Sequence, residues 1–455
     1  MPGSVFLYGL GLVALLSTGR IDIRTAVILA VAPVALSTAI LRPEWLLVLV
    51  VLVPPSLMAL VPPTYMVAVM TVTLFGFFLY GKLHLGPGTG VYPLIGIILL
   101  AIAWKADVPD EAAATASILM NFLIYYALLM LAAFHATANQ RLSASTFVDA
   151  LLVGIVIAAL LQPMLPTVTG IEGFSRNPYQ GTFANLAVMA FGITYIRRSL
   201  AASVGEPRSP VDGFLMVVFL ALTIVSYNRA AYIAVLLCFA LVWRWTAKKT
   251  VWIVVALVVA LAFTVPVIRD AIAPSSSSDT SNRGALERVT SGRSVLWEDL
   301  WNRGVAALPY GNGWGYMWSL TSVQLFGFEG EFSANETGLI YPHNDFLFLF
   351  LELGVAGVSL MVIFWIQFIR RFRSLSRSPG WRVRYDARTL APVGIIMFLL
   401  QLFANGLSVR FVAERFFVTA GLIGGMWYAE RGRTDGARRA MMDGYGHGGG
   451  AAVGL

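Results

Sequence analysis

Residues 340–357 read IYPHNDFLFLFLELGVAG, a short polar stretch that leads into a long apolar run. Pro342 suits the first position of a helix, because its missing N–H would have no intrahelical partner there. The pattern therefore predicts that His343, Asn344 and Asp345 occupy the first turn. A helix amino end favours anions and disfavours a protonated imidazole. A neutral His343 in this place can accept a proton from a hydroxyl group, although a simple helix cap explains the same residues.

A carboxylate follows within the same predicted helix. Glu352 lies nine residues after His343, which is about 13 Å further along the axis at 1.5 Å per residue. A charged side chain at that depth in an apolar helix is costly and requires a partner. The sequence alone does not identify that partner.

The composition extends the membrane character to the whole chain. Of 455 residues, 58% are hydrophobic and only 12% are charged, which lies far outside the average for soluble domains. The single cysteine, Cys238, lies in an apolar run and excludes disulfides and cysteine-based metal sites. The four histidines show no metal-ligand spacing. We therefore expect a polytopic membrane protein without a metal or another cofactor, and nothing supports nucleotide chemistry.

Long apolar runs predict about 12–14 transmembrane helices, because roughly 20 residues are needed for one crossing and several runs are shorter. The runs are 3–18, 25–41, 45–61, 64–80, 91–104, 116–134, 146–166, 183–196, 212–226, 230–246, 250–268, 343–369, 390–407 and 412–429. No convincing internal repeat is present, which counts weakly against a secondary transporter.

The basic residues orient these helices in the membrane. With the amino terminus inside, roughly three fifths of the Lys and Arg residues fall in inside loops, most densely over 370–388. This distribution accounts for most of the net charge of +8, so no nucleic-acid partner is needed.

The same topology divides the chain into four regions. It predicts amino-terminal transmembrane helices over 1–268, a large outer loop with short helices over 269–342, and carboxy-terminal transmembrane helices over 343–430. Residues 431–455 are rich in glycine and arginine and are predicted to form a disordered cytoplasmic tail.

The outer loop contains a tryptophan-bearing segment. SVLWEDLWNRGV, from Ser294, predicts a short amphipathic helix with Trp297 and Trp301 four residues apart. The run GNGWGYMW, from Gly311, is a turn-rich connector. The tryptophans can anchor the helix at the membrane interface or stack against sugars, and the sequence leaves both interpretations open.

Arginines recur at the outer helix ends, where the positive-inside rule discourages them. Arg229 lies in SYNRAAY, Arg176 in SRNPYQGTFAN and Arg293 in SGRS, while Arg410 and Arg415 flank the last turn. They either pair with outer acidic residues or bind a phosphorylated substrate, since guanidinium fits phosphate oxygens bidentately. We favour substrate binding for Arg229, because its tight turn leaves little space for a solvent-facing ion pair.

Three motifs in this order carry a family resemblance. SYNRAAYIAVLL is followed by GRSVLWEDLW leading into PYGNGWG, and then by HNDFLFLFLELGVAG. The arrangement resembles the O-antigen ligase and polymerase superfamily of bacterial membrane glycosyltransferases, over roughly residues 180–370. The chain has Asn228-Arg229 followed by alanine, where many members show Ser-Arg-Gly.

The resemblance implies an all-α membrane fold of the glycosyltransferase-C-like type, in the bacterial inner membrane with the active site facing the periplasm. It implies a metal-independent, inverting transfer from undecaprenyl-diphosphate-linked glycan, in which Arg229 and Arg293 hold the diphosphate and His343 acts at the acceptor hydroxyl. Possible supporting or substrate-binding residues are Arg176, Arg288, Asn344, Asp345, Glu352, Arg415, Trp297 and Trp301.

Three functions remain to be weighed. A ligase would use lipid A–core as acceptor, and a polymerase of O-antigen or exopolysaccharide would use another glycan repeat. We lean to the ligase, since one outer loop of moderate size offers limited room for a growing polymer end. A flippase or transporter of lipid-linked glycan would bury charges along a path through the helices. Away from the outer rim, the apolar runs are almost free of charge apart from Asp149 and Glu352. This favours an enzyme, with membrane lipids as further partners.

Overall fold

The computed structural model describes residues 42–53, 63–79, 89–161, 182–226, 229–246, 293–320, 344–403, 406–407 and 410–447. Within these ranges the backbone is helical apart from connecting segments. Its only extended pairing there is an isolated bridge between Lys105 and Trp314. The predicted helices at 3–18, 25–41 and 250–268 lie outside the described residues.

The helices are numbered in chain order. They are α1 Pro43–Leu52, α2 Pro63–Leu79, α3 Tyr92–Ala103, α4 Asp110–Ala138, α5 Ala144–Leu161, α6 Thr182–Ser203, α7 Pro210–Val225, α8 Arg229–Thr246, α9 Arg293–Ala306, α10 Tyr316–Ser319, α11 Asp345–Ser376, α12 Trp381–Thr389, α13 Ala391–Phe403 and α14 Arg410–His447.

Several of these helices suit a membrane by length and composition. In the described part of the chain, four apolar segments are long enough to cross a bilayer: Ala112–Ala138, Ala144–Leu161, Asp345–Ser376 and Trp381–Phe403. Helices α1, α2, α3, α7 and α8 are apolar but shorter. Phe78 and Phe214 are 60% and 69% exposed, as expected where lipid is the solvent. The predicted all-α polytopic membrane fold is confirmed.

Helices α4 and α14 form the centre of the bundle. Gly421 and Gly425, one turn apart on α14, face the backbone of α4 so closely that an added Cβ would meet the carbonyl oxygens of Met130 and Phe134. Small residues allow such close approach between helices in membranes. The ring of Tyr126 stacks on Phe417 at 4.9 Å between centroids. The two helices therefore run side by side in the same direction.

Ion pairs and hydrogen bonds gather basic residues at one end of the bundle, which we call the basic end. The contacts are Arg141–Glu44 at 3.5 Å, Arg197–Asp149 at 2.8 Å, Arg197–Asp212 at 3.5 Å and Ser378–Glu430 at 2.8 Å. They join the starts of α1, α5 and α7 to the ends of α4 and α6, and a residue just after α11 to α14. Arg141 and Arg197, which the positive-inside rule assigns to inside loops, thus lie at this end.

The end of the chain differs from the prediction. Residues 431–455 were expected to be disordered, but α14 continues to His447, and only 448–455 lie outside the described residues. The physical reason is that an existing helix gains one hydrogen bond for each residue it adds, without a new nucleus. Arg433 also pairs with Glu430 at 3.9 Å, although such an exposed pair contributes little.

Candidate functional site at the amino end of α11

The amino end of α11 begins later than predicted. The helix starts at Asp345, and Asn344 is its cap, with extended backbone angles of φ −158° and ψ 109°. The Oδ1 atom of Asn344 accepts a hydrogen bond from the N–H of Leu347 at 3.0 Å. Placing Asn344 in the first turn, with Pro342 at the first position, was therefore wrong. An asparagine cap satisfies a free N–H of the first turn, so the helix begins after it.

Asp345 connects this helix end to the link between α13 and α14. Its side chain accepts a hydrogen bond from the N–H of Leu407 at 2.8 Å, and the residue is only 5% exposed. The hydroxyl of Tyr126 donates to the carbonyl oxygen of Leu407 at 3.1 Å. Asp345 thus holds a backbone turn in place beside the helix end.

Glu352 has the partner that its depth requires. Its two carboxyl oxygens accept hydrogen bonds from the backbone N–H groups of Gly315 and, at 2.6 Å, Met317. The side chain is fully buried. These donors belong to residues 307–320, which follow α9 and which we call the docked loop. A segment of the predicted outer loop is therefore bonded to the interior of a predicted membrane helix.

A break in α11 provides further bonds to the docked loop. Gly354 has φ 61° and ψ −149°, a conformation that is almost restricted to glycine. In a regular helix, the carbonyl of Leu351 would accept from the N–H of Val355. Here Val355 donates to the carbonyl of Pro309 at 3.1 Å instead.

The carbonyls freed by this break accept from the docked loop. Asn312 donates its backbone N–H to Leu351 at 2.9 Å, and Gly313 donates to Glu352 at 2.9 Å. The side-chain amide of Asn312 adds a bond to Leu351 at 3.1 Å. The docked loop therefore supplies a hydrogen-bond donor to each of the carbonyl groups of Leu351 and Glu352.

Trp314 attaches the docked loop to a third part of the bundle. Its backbone N–H donates to Trp104 at 2.7 Å, and its carbonyl accepts from Ala106 at 3.1 Å. Its indole Nε1 donates to the carbonyl of Ala116 at 3.1 Å. The loop is thus bonded to the segment after α3, to α4 and to α11.

The amphipathic helix predicted from Ser294 is present as α9. Trp301 stacks on Phe350 of α11 at 4.8 Å between ring centroids, and Trp297 is half-buried. Arg303 donates from Nε to Asp299 at 2.8 Å, and this hydrogen bond raises the pKa of the guanidinium. Helix α9 therefore packs beside the first half of α11.

Arg415 is fully enclosed by the protein. It is 1% exposed and donates from Nη2 to the carbonyl of Val51 at 3.2 Å. Its neighbour Glu414 accepts from Arg410 Nε at 2.9 Å. Of the two alternatives for these outer arginines, ion pairing thus accounts for Arg410. The enclosed position of Arg415 fits a supporting role between the start of α14 and the end of α1 better than direct contact with a substrate.

The residues with predicted chemical roles are described only in part. Arg229 and Arg293 are the first residues of α8 and α9, but their side chains lie outside the described part of the structure, as do His343, Arg176 and Arg288. Sequence reasoning missed Gly354, although the Glu-Leu-Gly spacing in the opening motif is a signal for it. It also missed the turn at Leu407, which carries no side-chain chemistry to detect.

A comparison with known protein families finds a match that includes the same region of the chain. Residues 214–362 match a family model described as O-antigen ligase. The matched range contains α8, α9, the docked loop and the break in α11. No curated protein matches the chain significantly in sequence. This match covers about a third of the chain and supports its resemblance to the O-antigen ligase and polymerase superfamily.

Proposed function

We propose that the protein transfers a glycan from undecaprenyl diphosphate to an acceptor sugar hydroxyl on the periplasmic side of the inner membrane, with lipid A–core as the acceptor. The family match supports a membrane glycosyltransferase of the O-antigen ligase type. The observation that carries the finer proposal is that three helix amino ends, each next to a predicted site residue, belong to the same end of the bundle.

The connection between α7 and α8 indicates the end of the bundle at which α8 begins. Asp212, near the start of α7, contacts Arg197 at the basic end. Helix α7 then carries the chain about 24 Å away at 1.5 Å per residue. Arg229 opens α8 just after α7 ends at Val225, so its backbone belongs to the end of the bundle opposite the basic end.

The contacts between the segment 304–309 and α11 relate the amino ends of α9 and α11. Gly304 faces Phe350, and Pro309 bonds Val355 further along, so the chain from the end of α9 into the docked loop advances in the same direction as α11. Ser378, just after α11, bonds Glu430 at the basic end. The amino ends at Arg293 and Asn344 therefore point to the opposite end, and His343 directly precedes Asn344. These directions support one shared site for Arg229, Arg293 and His343.

The chemistry of such a site is a substitution at the anomeric carbon. The acceptor hydroxyl oxygen forms a bond to this carbon from the opposite face, and the bond to the diphosphate oxygen breaks, which inverts the configuration. The imidazole of His343 takes the hydroxyl proton. Arg229 and Arg293 stabilise the negative charge that develops on the departing undecaprenyl diphosphate.

The first test replaces the proposed base. In vesicles that contain the protein, lipid-linked glycan and lipid A–core, we expect His343→Ala to reduce the transfer rate by about 100- to 10,000-fold, the usual contribution of a general base. Glu298→Gln, on the exposed side of α9, is the matched control and should retain activity. A folded His343→Ala protein with full transfer would remove the imidazole from the mechanism.

The second test concerns the diphosphate. Arg229→Lys preserves the positive charge but loses the planar pair of donors that fits phosphate oxygens. We expect most activity to be lost, with weaker saturation by the lipid-linked donor in the same vesicle assay. Unchanged kinetics in Arg229→Lys would mean that bidentate contact at this position is not used.

The acceptor is tested by comparing incubations with and without lipid A–core. A ligase forms product only when lipid A–core is present, whereas a polymerase elongates glycan from the donor alone. Movement of lipid-linked glycan across the vesicle membrane, with no covalent product in either incubation, would instead identify a flippase and overturn the proposed function.

A further inference from the structure

Helix α9 and the docked loop expose a group of large apolar side chains. Trp301 and Val305, one turn apart on α9, are 54% and 43% exposed, and Leu308 and Tyr310 in the following turn are 45% and 71% exposed. We call these four residues the loop patch. They bear no hydrogen-bonding group apart from the indole and the phenol, and together they form more than a scattered set of surface residues.

Three polar residues of α9 lie on another side of the helix. Asp299 and Arg303 pair with each other, and Asn302 is exposed. At 100° per residue, these three positions form one arc of the helix, while Trp301 and Val305 form another. Leu300 and Gly304 complete the apolar side and face the protein. The arc with Trp301 and Val305 is therefore only half covered by the protein, and exposed Glu298 borders it one turn towards the amino end of α9.

The loop patch is continuous with exposed side chains of two apolar helices. The ring of Tyr310 lies 6.1 Å from that of Trp104, which directly follows α3. Leu99 and Ile102 of α3 are 60% and 52% exposed. On the other side, Val355 of α11 is 49% exposed and bonds Pro309. The patch thus extends the outer surface of α3 and α11 without a polar boundary between them.

The depth of these contacts along the membrane helix α11 indicates that the loop patch faces lipid and not water. Val355 lies about 15 Å along α11 from its start, inside the segment Asp345–Ser376 that is apolar enough to cross a membrane. The part of the loop bonded to Val355 lies at the same level. Trp104 and Tyr310 form an aromatic pair where α3 ends, and such residues favour the boundary between headgroups and acyl chains.

We propose that the loop patch is a membrane-contact surface, and that α9 and the docked loop lie in one leaflet with Trp301, Val305, Leu308 and Tyr310 against phospholipid. The sequence left open whether the tryptophans contact sugar or the membrane interface, and the surroundings of Trp301 and Tyr310 favour lipid. Trp301 and Val305 of α9 thus face the acyl chains, with Asn302 and the Asp299–Arg303 pair towards water. This inference does not depend on the proposed function.

The experiment measures immersion depth in the full-length protein in phospholipid nanodiscs. Nitroxide labels are attached to Val305→Cys and Leu308→Cys, with Asn302→Cys as the matched control on the polar arc of the same helix. Cys238 is fully buried, and mass spectrometry of unmodified protein checks that it takes no label. We expect oxygen to relax the labels at 305 and 308 more than a water-soluble nickel chelate does, and the reverse at 302.

The proposal is overturned if the nickel chelate dominates at all three positions, or if soluble oligosaccharide, and not lipid, shields 305 and 308. A second measurement avoids the cysteine variants. A photoreactive benzophenone amino acid at Trp301 or Tyr310 should yield phospholipid adducts on irradiation, whereas the same group at Asn302 should not. Folded protein without lipid adducts at 301 and 310 would also exclude the membrane-contact surface.

Discussion

At the scale of single residues, Glu352 shows how a carboxyl group can persist inside an apolar helix. Burial of an unpaired charge in such a place is costly. Both oxygens of Glu352 accept backbone N–H groups of the docked loop, from Gly315 and Met317. The residue therefore stabilises a contact between α11 and a segment distant in sequence.

Replacing this carboxyl group by an amide should loosen the loop. In Glu352→Gln, one of the two N–H donors faces an amide NH₂ and loses its acceptor, which costs about 1–3 kcal/mol for a buried donor. We expect a lower unfolding temperature in detergent and faster proteolysis within 307–320. Glu298→Gln, on the exposed face of α9, should change neither. Equal protease resistance in both variants would show that the carboxyl group does not hold the loop.

Two other candidate residues show the limits of reading charges from sequence. Asp345 and Arg415 lie at predicted outer helix ends and were expected to be substrate-binding or supporting residues. Asp345 instead accepts the N–H of Leu407, and Arg415 donates to the carbonyl of Val51. Both are almost completely buried. Burial depends on which helices surround a position, and no sequence pattern near these residues reports it.

At the scale of elements, the break at Gly354 converts one long helix into a receptor for the docked loop. The break redirects the N–H of Val355 to Pro309 and leaves the carbonyls of Leu351 and Glu352 to accept from Asn312 and Gly313. Backbone groups inside a membrane helix need partners within the protein. The loop therefore satisfies the groups that the break releases, and the break in turn holds the loop.

Adding a methyl group at the break should separate the two elements. In Gly354→Ala, the new Cβ would collide with the carbonyl oxygen of Pro309, and the backbone conformation adds strain of about 1–3 kcal/mol. Gly205→Ala is the matched control, because Gly205 also has a positive φ, of 76°, but nothing lies within 4 Å of its Cβ position. We expect a clearly larger fall in unfolding temperature for Gly354→Ala. Equal losses would mean that strain alone, without the contact to Pro309, accounts for the effect.

At the scale of the whole molecule, the chain is polarised between two ends. The basic end joins α1, α4, α5, α6 and α7 through the pairs of Arg141 and Arg197. The opposite end contains the docked loop, the cap of α11 and the turn at Leu407. The positive-inside rule, applied to this arrangement, predicts that the basic end faces the cytoplasm.

Sidedness can be measured with a membrane-impermeant thiol reagent. Glu206→Cys lies in the exposed link between α6 and α7, and Asn302→Cys lies on exposed α9. We expect Asn302→Cys to react in intact spheroplasts, and Glu206→Cys to react only after the membrane is permeabilised. The unmodified protein provides the baseline, since Cys238 is buried. Labelling of both positions from the same side would contradict the predicted orientation.

The sequence by itself determined that the chain is a helical membrane protein, because apolar runs in lipid can satisfy their backbone groups only within helices. It also determined the amphipathic helix after Ser294 and the need of Glu352 for a partner. Only the tertiary structure decided that the partner is the backbone of Gly315 and Met317, and that Gly354 interrupts α11 to receive the loop. The physical reason is that hydrophobic periodicity indicates only which side of a helix is apolar. A contact between segments distant in the chain depends instead on the path of the connecting loop and on the close fit of one backbone against the other.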